Sequence, residues 1–262
     1  MTLTEIFLIA WGFSALVMLL LWMMQYKTEN AGIVDVAWSF LTPLVGAWLI
    51  FMDQVDNGNR QWLIIGLAIF WGFRLGTFLY NRVMNEVEDG RYRYMREYCG
   101  KYAQVTMFVF FQVQATWTIL FALPFWAAAR NSSPGVGLLD MLGLLVWVIA
   151  IAGEIVSDYQ LHRFRMNSDN KGVVCDIGLW RYSRHPNYFF EWLQWWAFVL
   201  IGYGSDYWWL TWVGLIIIYI FITRITGVPY TEQQSIRSRG DAYREYQKTT
   251  NMFFPMPPKT SI

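Results

Sequence analysis

Long apolar stretches, broken by short polar ones, dominate the chain from its first residues. A membrane-spanning helix needs about 20 mainly apolar residues. Seven windows have that character: Leu3 to Met24, Ala31 to Met52, Gln61 to Tyr80, Val105 to Ala129, Val136 to Ser157, Asn187 to Tyr203, and Tyr207 to Thr226. The sixth is the shortest and is crowded with aromatics. The pattern predicts an all-α, polytopic membrane protein with about seven transmembrane helices. No internal repeat, low-complexity tract or linker divides it, so a single domain over residues 1–262 is expected. The first window lacks the charged start and small-residue cleavage site of a signal peptide and reads as a mature membrane helix.

The polar connections alternate in size. Those after the second, fourth and sixth windows are brief: 53-DQVDNGNR-60, 130-RNSSPG-135 and 204-GSD-206. Those after the third and fifth, and the stretch from Gly227 onward, are long and charged. Arg60 and Arg130 fall on one side, sixteen other cations on the opposite side, and Arg74 and Arg224 within spans. Cations collect on the cytoplasmic side of a membrane. The long connections and the C-terminus are therefore expected in the cytosol, with the N-terminus outside.

Composition agrees: 56% of residues are hydrophobic and 15% charged, against roughly 25% charged in soluble domains. Net charge of +1, without a basic stripe, gives no reason to expect nucleic acid as a partner. Cys99 and Cys175 form neither a CxxC pair nor a disulfide framework. With only His162 and His185 as imidazoles, no metal site is expected.

Charged groups inside a span are costly unless paired or facing a cavity, so each is a candidate site residue. They are Asp35, Arg74, Glu154, Glu191 and Arg224, with Asp140 near an outer end. Arg224 can snorkel, and Asp140 is expected to reach the headgroups. Asp35, in 31-AGIVDVAWSF-40, lies about one turn inside the second window. Burial disfavours the charged form of a carboxyl group, so Asp35 is expected to stay protonated and to donate a hydrogen bond. Glu154, Asp158, His162 and Arg165 follow at steps of four, four and three. Those steps keep them on one helical face, which runs out of the bilayer.

The richest stretch is 178-GLWRYSRHPNYFFEWLQWW-196. Pro186 suits the first turn of a helix, where its missing N–H costs nothing. Asn187, Glu191 and Gln194 then share one side. Arg181, Arg184 and His185 stand just before that helix, whose free N–H groups attract anions. The segment reads as a phosphate cradle that leads into a polar groove suited to a carboxamide or a ribose. Cations before a membrane helix also obey the charge rule, but that rule does not explain Asn187 and Glu191.

RHPNYFFEW resembles the signature of steroid 5α-reductases, sterol C14 and Δ7 reductases, and related bacterial membrane proteins. The order 157-SDYQLHRFR-165, 178-GLW-180, Asn187, Glu191 is similar to the C-terminal half of the steroid 5α-reductases, over roughly the last 110 residues. The resemblance implies NADPH as cofactor, held by residues 150–262, with Asp158 and Arg165 at the nucleotide end and Asn187 and Glu191 toward the nicotinamide; Tyr188 is a further cofactor-binding candidate. Tyr243, Arg244 and Tyr246 match the family's closing tyrosine-rich, basic segment. Glu154 stands where the family has asparagine. Of the family's substrate-holding groups, only Asp35 is matched as the acid, with Tyr80 a second candidate; residues 1–130 are read as the substrate side.

The implied activity is reduction of the C=C bond of an α,β-unsaturated ketone, a 4-ene-3-oxo steroid or isoprenoid-like lipid. The implied setting is the lipid bilayer: the inner membrane in a bacterium, the endoplasmic reticulum in a eukaryote. No obligate protein partner is evident. The pattern RHPxY, Glu232 and 240-GDAYREY-246 also resembles isoprenylcysteine and phospholipid methyltransferases, which implies S-adenosylmethionine instead. A non-enzymatic lipid-binding protein is the third reading. No GxGxxG occurs, so a soluble dinucleotide domain is not expected.

Overall fold

The computed structural model describes residues 1–54 and 58–259. Residues 55–57, within the connection 53–60 read between the second and third windows, lie outside the described residues. Among the described residues every regular element is a helix. In chain order these are α1 (Leu3–Thr28), α2 (Ile33–Met52), α3 (Asn59–Asn85), α4 (Gly90–Cys99), α5 (Ala103–Ala129), α6 (Leu138–Met166), α7 (Pro186–Leu193), α8 (Trp195–Ile201), α9 (Trp208–Ile220), α10 (Val228–Arg239) and α11 (Asp241–Thr249).

Among the described residues six helical stretches are long and apolar enough to cross a membrane: Leu3–Thr28, Ile33–Met52, Asn59–Asn85, Gly90–Ala129, Leu138–Met166 and Trp208–Arg239. The protein is an integral, multi-pass membrane protein. The expected seventh span is where sequence and structure differ. The window Asn187 to Tyr203 folds as two short helices, α7 and α8, with Gln194 between them. Eight residues of α-helix cover only about 12 Å, so neither piece crosses about 30 Å of hydrocarbon alone.

The helices pack as two compact units, Met1–Gly137 with Ile201–Gly214, and Leu138–Leu200 with Leu215–Ile262. In the first unit α2 is central. It packs on α1, α3 and α5, and 67% of its apolar window is buried against 22% for α1. Pro43 inside α2 lacks the N–H that would bond the Ser39 carbonyl. Gly72 of α3 packs there: a Cβ at that position would fall 2.5 Å from the Ser39 carbonyl oxygen, so only glycine permits the approach. On α1 the apolar side chains Leu8, Phe13, Leu16 and Leu20 remain exposed, as a lipid-facing surface requires.

Two charges near the brief connections behave differently from expectation. Arg60 is 2% exposed and donates to the Asn131 and Ser133 carbonyls at 3.0 and 2.7 Å, and to that of Gly135. Asp140, expected to reach the headgroups, is also 2% exposed. Unpaired buried ions cost several kcal/mol, which makes Arg60 a fastening for residues 131–135.

In the second unit α7 lies against α6, and the contact is close because of Gly153. A Cβ there would overlap the Phe190 ring. The stretch 178-GLW-180 is fixed to the same helix: Gln160 Oε1 accepts from the Leu179 N–H at 2.9 Å, and Trp180 Nε1 donates to the Ser157 carbonyl at 2.9 Å. Gly178 holds φ +57° with the Gln160 amide packed where a Cβ would project, a position that favours glycine. After α11 the chain turns back along the same segment, and Phe253 and Phe254 enter an aromatic cluster with Phe189, Trp192 and Tyr219.

Candidate functional site

The second unit builds its polar groups on two facing helices. Asn187 opens α7, and its Nδ2 donates to Asp158 Oδ1 on α6 at 3.1 Å. Three residues later Phe190 covers Gly153. Position therefore rises on α7 as it falls on α6, and the helices run antiparallel. One turn beyond Asn187 and one turn before Asp158 stand Glu191 and Glu154, on facing turns and 9% and 6% exposed. A further turn brings Gln194, 2% exposed, level with the apolar Ala150 and Ile151. Both polar atoms of the Gln194 amide, and Oδ1 of Asn187, are buried without a hydrogen-bond partner. Buried polar atoms nearly always have partners, so this row of amides and acids is shaped to meet further polar groups. His162 and Arg165, lower on the same face of α6, are exposed.

The three cations before α7 divide into two kinds. Arg184 is 9% exposed. Its Nε donates to Glu232 Oε1 at 2.7 Å, and its Nη1 to the Gln247 and Thr250 carbonyls at 3.1 and 2.7 Å. His185 lies beside it with Nε2 3.3 Å from the same Glu232 oxygen, and Gln247 Nε2 donates to the other Glu232 oxygen at 2.9 Å. The Tyr243 hydroxyl stands 3.5 Å from Glu232. Burial holds the His185 imidazole below its ordinary range, against the opposing pull of Glu232. Burial likewise pushes the Tyr243 phenol up to about 12 and the Tyr246 phenol far above its usual value, so both stay neutral donors. Tyr246 donates to the Trp180 carbonyl. Arg184, His185, Tyr243 and Tyr246 thus hold the segment before α7 onto α10 and α11.

Arg181 is the other kind. It is exposed and lines a hollow of about 290 Å³ with Asp176, Tyr246, Thr249, Thr250 and Pro258. Tyr188 stacks on His185 with ring centroids 5.6 Å apart, and its hydroxyl lies 3.3 Å from Thr231 Oγ1. Arg244 pairs with Asp241 at 2.6 Å on an open surface, and the structure brings it to none of the other candidates.

In the first unit Asp35, read from the sequence as a hydrogen-bond donor, meets a basic partner. Its Oδ2 accepts from Arg91 Nη2 of α4 at 3.0 Å. The sequence reading missed this because Arg91 is 56 residues away. Asp89, which caps α4 and also holds Arg91 at 3.1 Å, has its carboxyl held below the usual range by Arg91 and Arg82, in spite of burial. The buried Tyr92 side chain lies in the same cluster. These residues, with Asn30, Arg82 and Val83, surround a cavity of about 20 Å³, room for one water. Tyr80, the second catalytic candidate, is 47% exposed and is not among the residues lining this cavity.

Glu232, Asp89, Arg91 and Tyr92 are the residues that the sequence reading did not select as site residues. A signal existed for α4, since 88-EDGRYR-93 is the densest charge cluster between two apolar windows. Glu232 carried only its place in the methyltransferase-like pattern.

Buried amides and carboxylates on α6 and α7, beside a fastened basic segment, give this integral membrane protein a polar face in its second unit. The chain belongs to the family described as "Protein of unknown function (DUF1295)", whose model matches residues 21–250. It is similar to the uncharacterized protein C594.04c of Schizosaccharomyces pombe (strain 972 / ATCC 24843), at 25% identity over 267 residues, which cover 90% of this chain and 75% of that protein. No solved structure matches.

Proposed function

We propose that this protein is a membrane-embedded, NADPH-dependent reductase of an α,β-unsaturated ketone carried on a lipophilic molecule such as a 4-ene-3-oxo steroid, a member of the steroid 5α-reductase-like group. The observation that carries the reading is the contact between Asn187 and Asp158, continued by Glu191 and Gln194. Asp158, Asn187 and Glu191 occupy the positions that the resemblance assigns to the cofactor, and the unpartnered amide atoms of Asn187 and Gln194 suit a ligand with both N–H and C=O groups. NADPH supplies the hydride when bound. The chain's own part is to hold and orient. Asn187, Glu191 and Gln194 would bond the nicotinamide carboxamide, with Asp158 orienting Asn187. Polarising a ketone oxygen requires a donor. With Asp35 paired to Arg91, Asp35 is expected to act by orienting Arg91. In this reading α4, α10 and α11 lie on the cytosolic side, where the cations collect.

The second reading is a methyltransferase using S-adenosylmethionine. Its support is that Arg184, His185, Glu232, Tyr243 and Tyr246, the parts of that pattern, meet in one network. Thermal shift of the purified protein with NADPH, NADH and S-adenosylmethionine separates the two readings. Stabilisation by NADPH and not by S-adenosylmethionine is expected; the reverse result refutes the reductase. Asn187→Ala is expected to weaken NADPH binding about tenfold, the cost of leaving polar ligand groups unpaired, with the melting temperature of the cofactor-free protein little changed.

A further inference from the structure

We infer that α4 lies in the plane of the bilayer surface, with Tyr94, Tyr98 and Tyr102 seated in the headgroup layer of the leaflet that α3 leaves and α5 enters. The inference does not depend on the reductase reading, because it concerns an outer face of the first unit that the reading leaves unused.

Helix α4 is built the opposite way round from a surface helix of a soluble protein, which turns charge outward and apolar groups inward. Two of its arginines are turned inward. Arg91 reaches Asp35 of α2 at 3.0 Å. Arg96 holds Glu88 at 3.1 Å and donates from Nη2 to Gln25 Oε1 of α1 at 2.7 Å. The tyrosines, Tyr92 excepted, are turned outward. Tyr94 and Tyr98 stack with ring centroids 5.9 Å apart and are 66% and 79% exposed, and Tyr102 is 62% exposed. A step of four keeps Tyr94 and Tyr98 in one row, and the exposed Arg93 and Glu97 in the next. Lys101 and Tyr102 follow in the turn after α4, with the Lys101 ammonium 5.0 Å from the centre of the Tyr102 ring.

A bilayer surface suits both rows. Tyrosine collects where lipid meets water, its ring against apolar matter and its hydroxyl in the wet layer, and exposed cations attract anionic headgroups. Two observations assign the face to lipid. First, it continues lipid-facing surface on both sides along the chain: Tyr80 and Met84 near the end of α3, and Val105 and Val109 near the start of α5, are all exposed. Second, α4 is held where the spans meet the bilayer surface. Asp89, which caps α4, pairs with Arg82 in the last turn of α3 at 3.0 Å, and the ten residues of α4, about 15 Å of helix, bridge one span to the next.

The test uses the wild-type, full-length protein in phosphatidylcholine nanodiscs that hold a single chain each. Hydroxyl radicals are generated in the water, and oxidation is read at each tyrosine by mass spectrometry. Tyr182, 43% exposed, serves as the reference. If water covered α4, Tyr94 and Tyr98 would oxidise faster than Tyr182, in line with their greater exposure. Seated among headgroups, they and Tyr102 should oxidise several-fold more slowly. Oxidation as fast as that of Tyr182 overturns the inference. Protection that appears only in discs holding two chains also overturns it, since it assigns the face to a second copy. Adding phosphatidylglycerol should deepen the protection, and the double variant Arg93→Gln, Lys101→Gln should lose that gain. No gain, or a gain that the double variant keeps, overturns the place given to the charged row.

Discussion

Replacing Glu232 with alanine removes the carboxylate that neutralises Arg184, and its cost can be worked from the contacts. Breaking a buried ion pair by deleting one partner costs about 3–5 kcal/mol, because a desolvated charge is left behind. Here the Glu232 side chain is 16% exposed and that of Arg184 9%, and Arg184 keeps the Gln247 and Thr250 carbonyls. The lower end, about 3 kcal/mol, therefore applies. For a chain of this size each kcal/mol moves the melting temperature roughly 2–4 °C, so Glu232→Ala should lower it by about 6–12 °C. Membrane proteins often unfold irreversibly, so wild type and variants must be scanned at one rate in one detergent. Glu232→Gln, which keeps an acceptor for Arg184 but not the charge, should fall between. The double variant Arg184→Met, Glu232→Leu should recover much of the loss, since well-packed apolar replacements of buried pairs are often neutral. A single-variant shift under 2 °C, or a double variant worse than both singles, would refute the claim that this pair fastens the segment before α7.

Acid sensitivity offers a second measurement. His185 is a base whose folded-state value lies below the unfolded value of about 6.5. The unfolded chain then binds the proton more readily, so this contribution is complete above about pH 6.5 and is lost as pH falls toward the folded-state value. The melting temperature should drop between pH 7.5 and 5.5, and His185→Gln should flatten that slope; an unchanged slope would exclude His185 as its cause. A third measurement concerns helix spacing. Gly153→Ala forces a methyl into the Phe190 ring, a kind of overpacking that costs about 1–3 kcal/mol. It should weaken NADPH binding by separating Asn187 from Asp158, and Phe190→Leu in the same chain should restore binding; no rescue would mean that spacing is not the cause.

Much of the helix plan was legible because it follows from hydrophobic run length alone. The window Ala31 to Met52 became Ile33–Met52, and Val105 to Ala129 became Ala103–Ala129. The break at Gln194 was not legible, since 187–203 contains no proline or glycine until Gly202. Sharing of a face by Asn187, Glu191 and Gln194, and by Glu154 and Asp158, could be read from helical steps. Their meeting across two helices could not, because it depends on Gly153. Nor could sequence separate Arg181 from Arg184. They stand three residues apart in the same basic run, and only the return of Glu232 and residues 247–250, dozens of positions later, buries one and leaves the other outside.

That return imposes an order on biogenesis. Chains fold from the N-terminus as they are synthesised, yet the oxygens that satisfy Arg184 belong to residues translated 48 to 66 positions afterwards. Until Glu232 and Thr250 have been made, the nascent polypeptide carries a guanidinium with nowhere dry to go. The segment before α7 can close only after those later residues have been made.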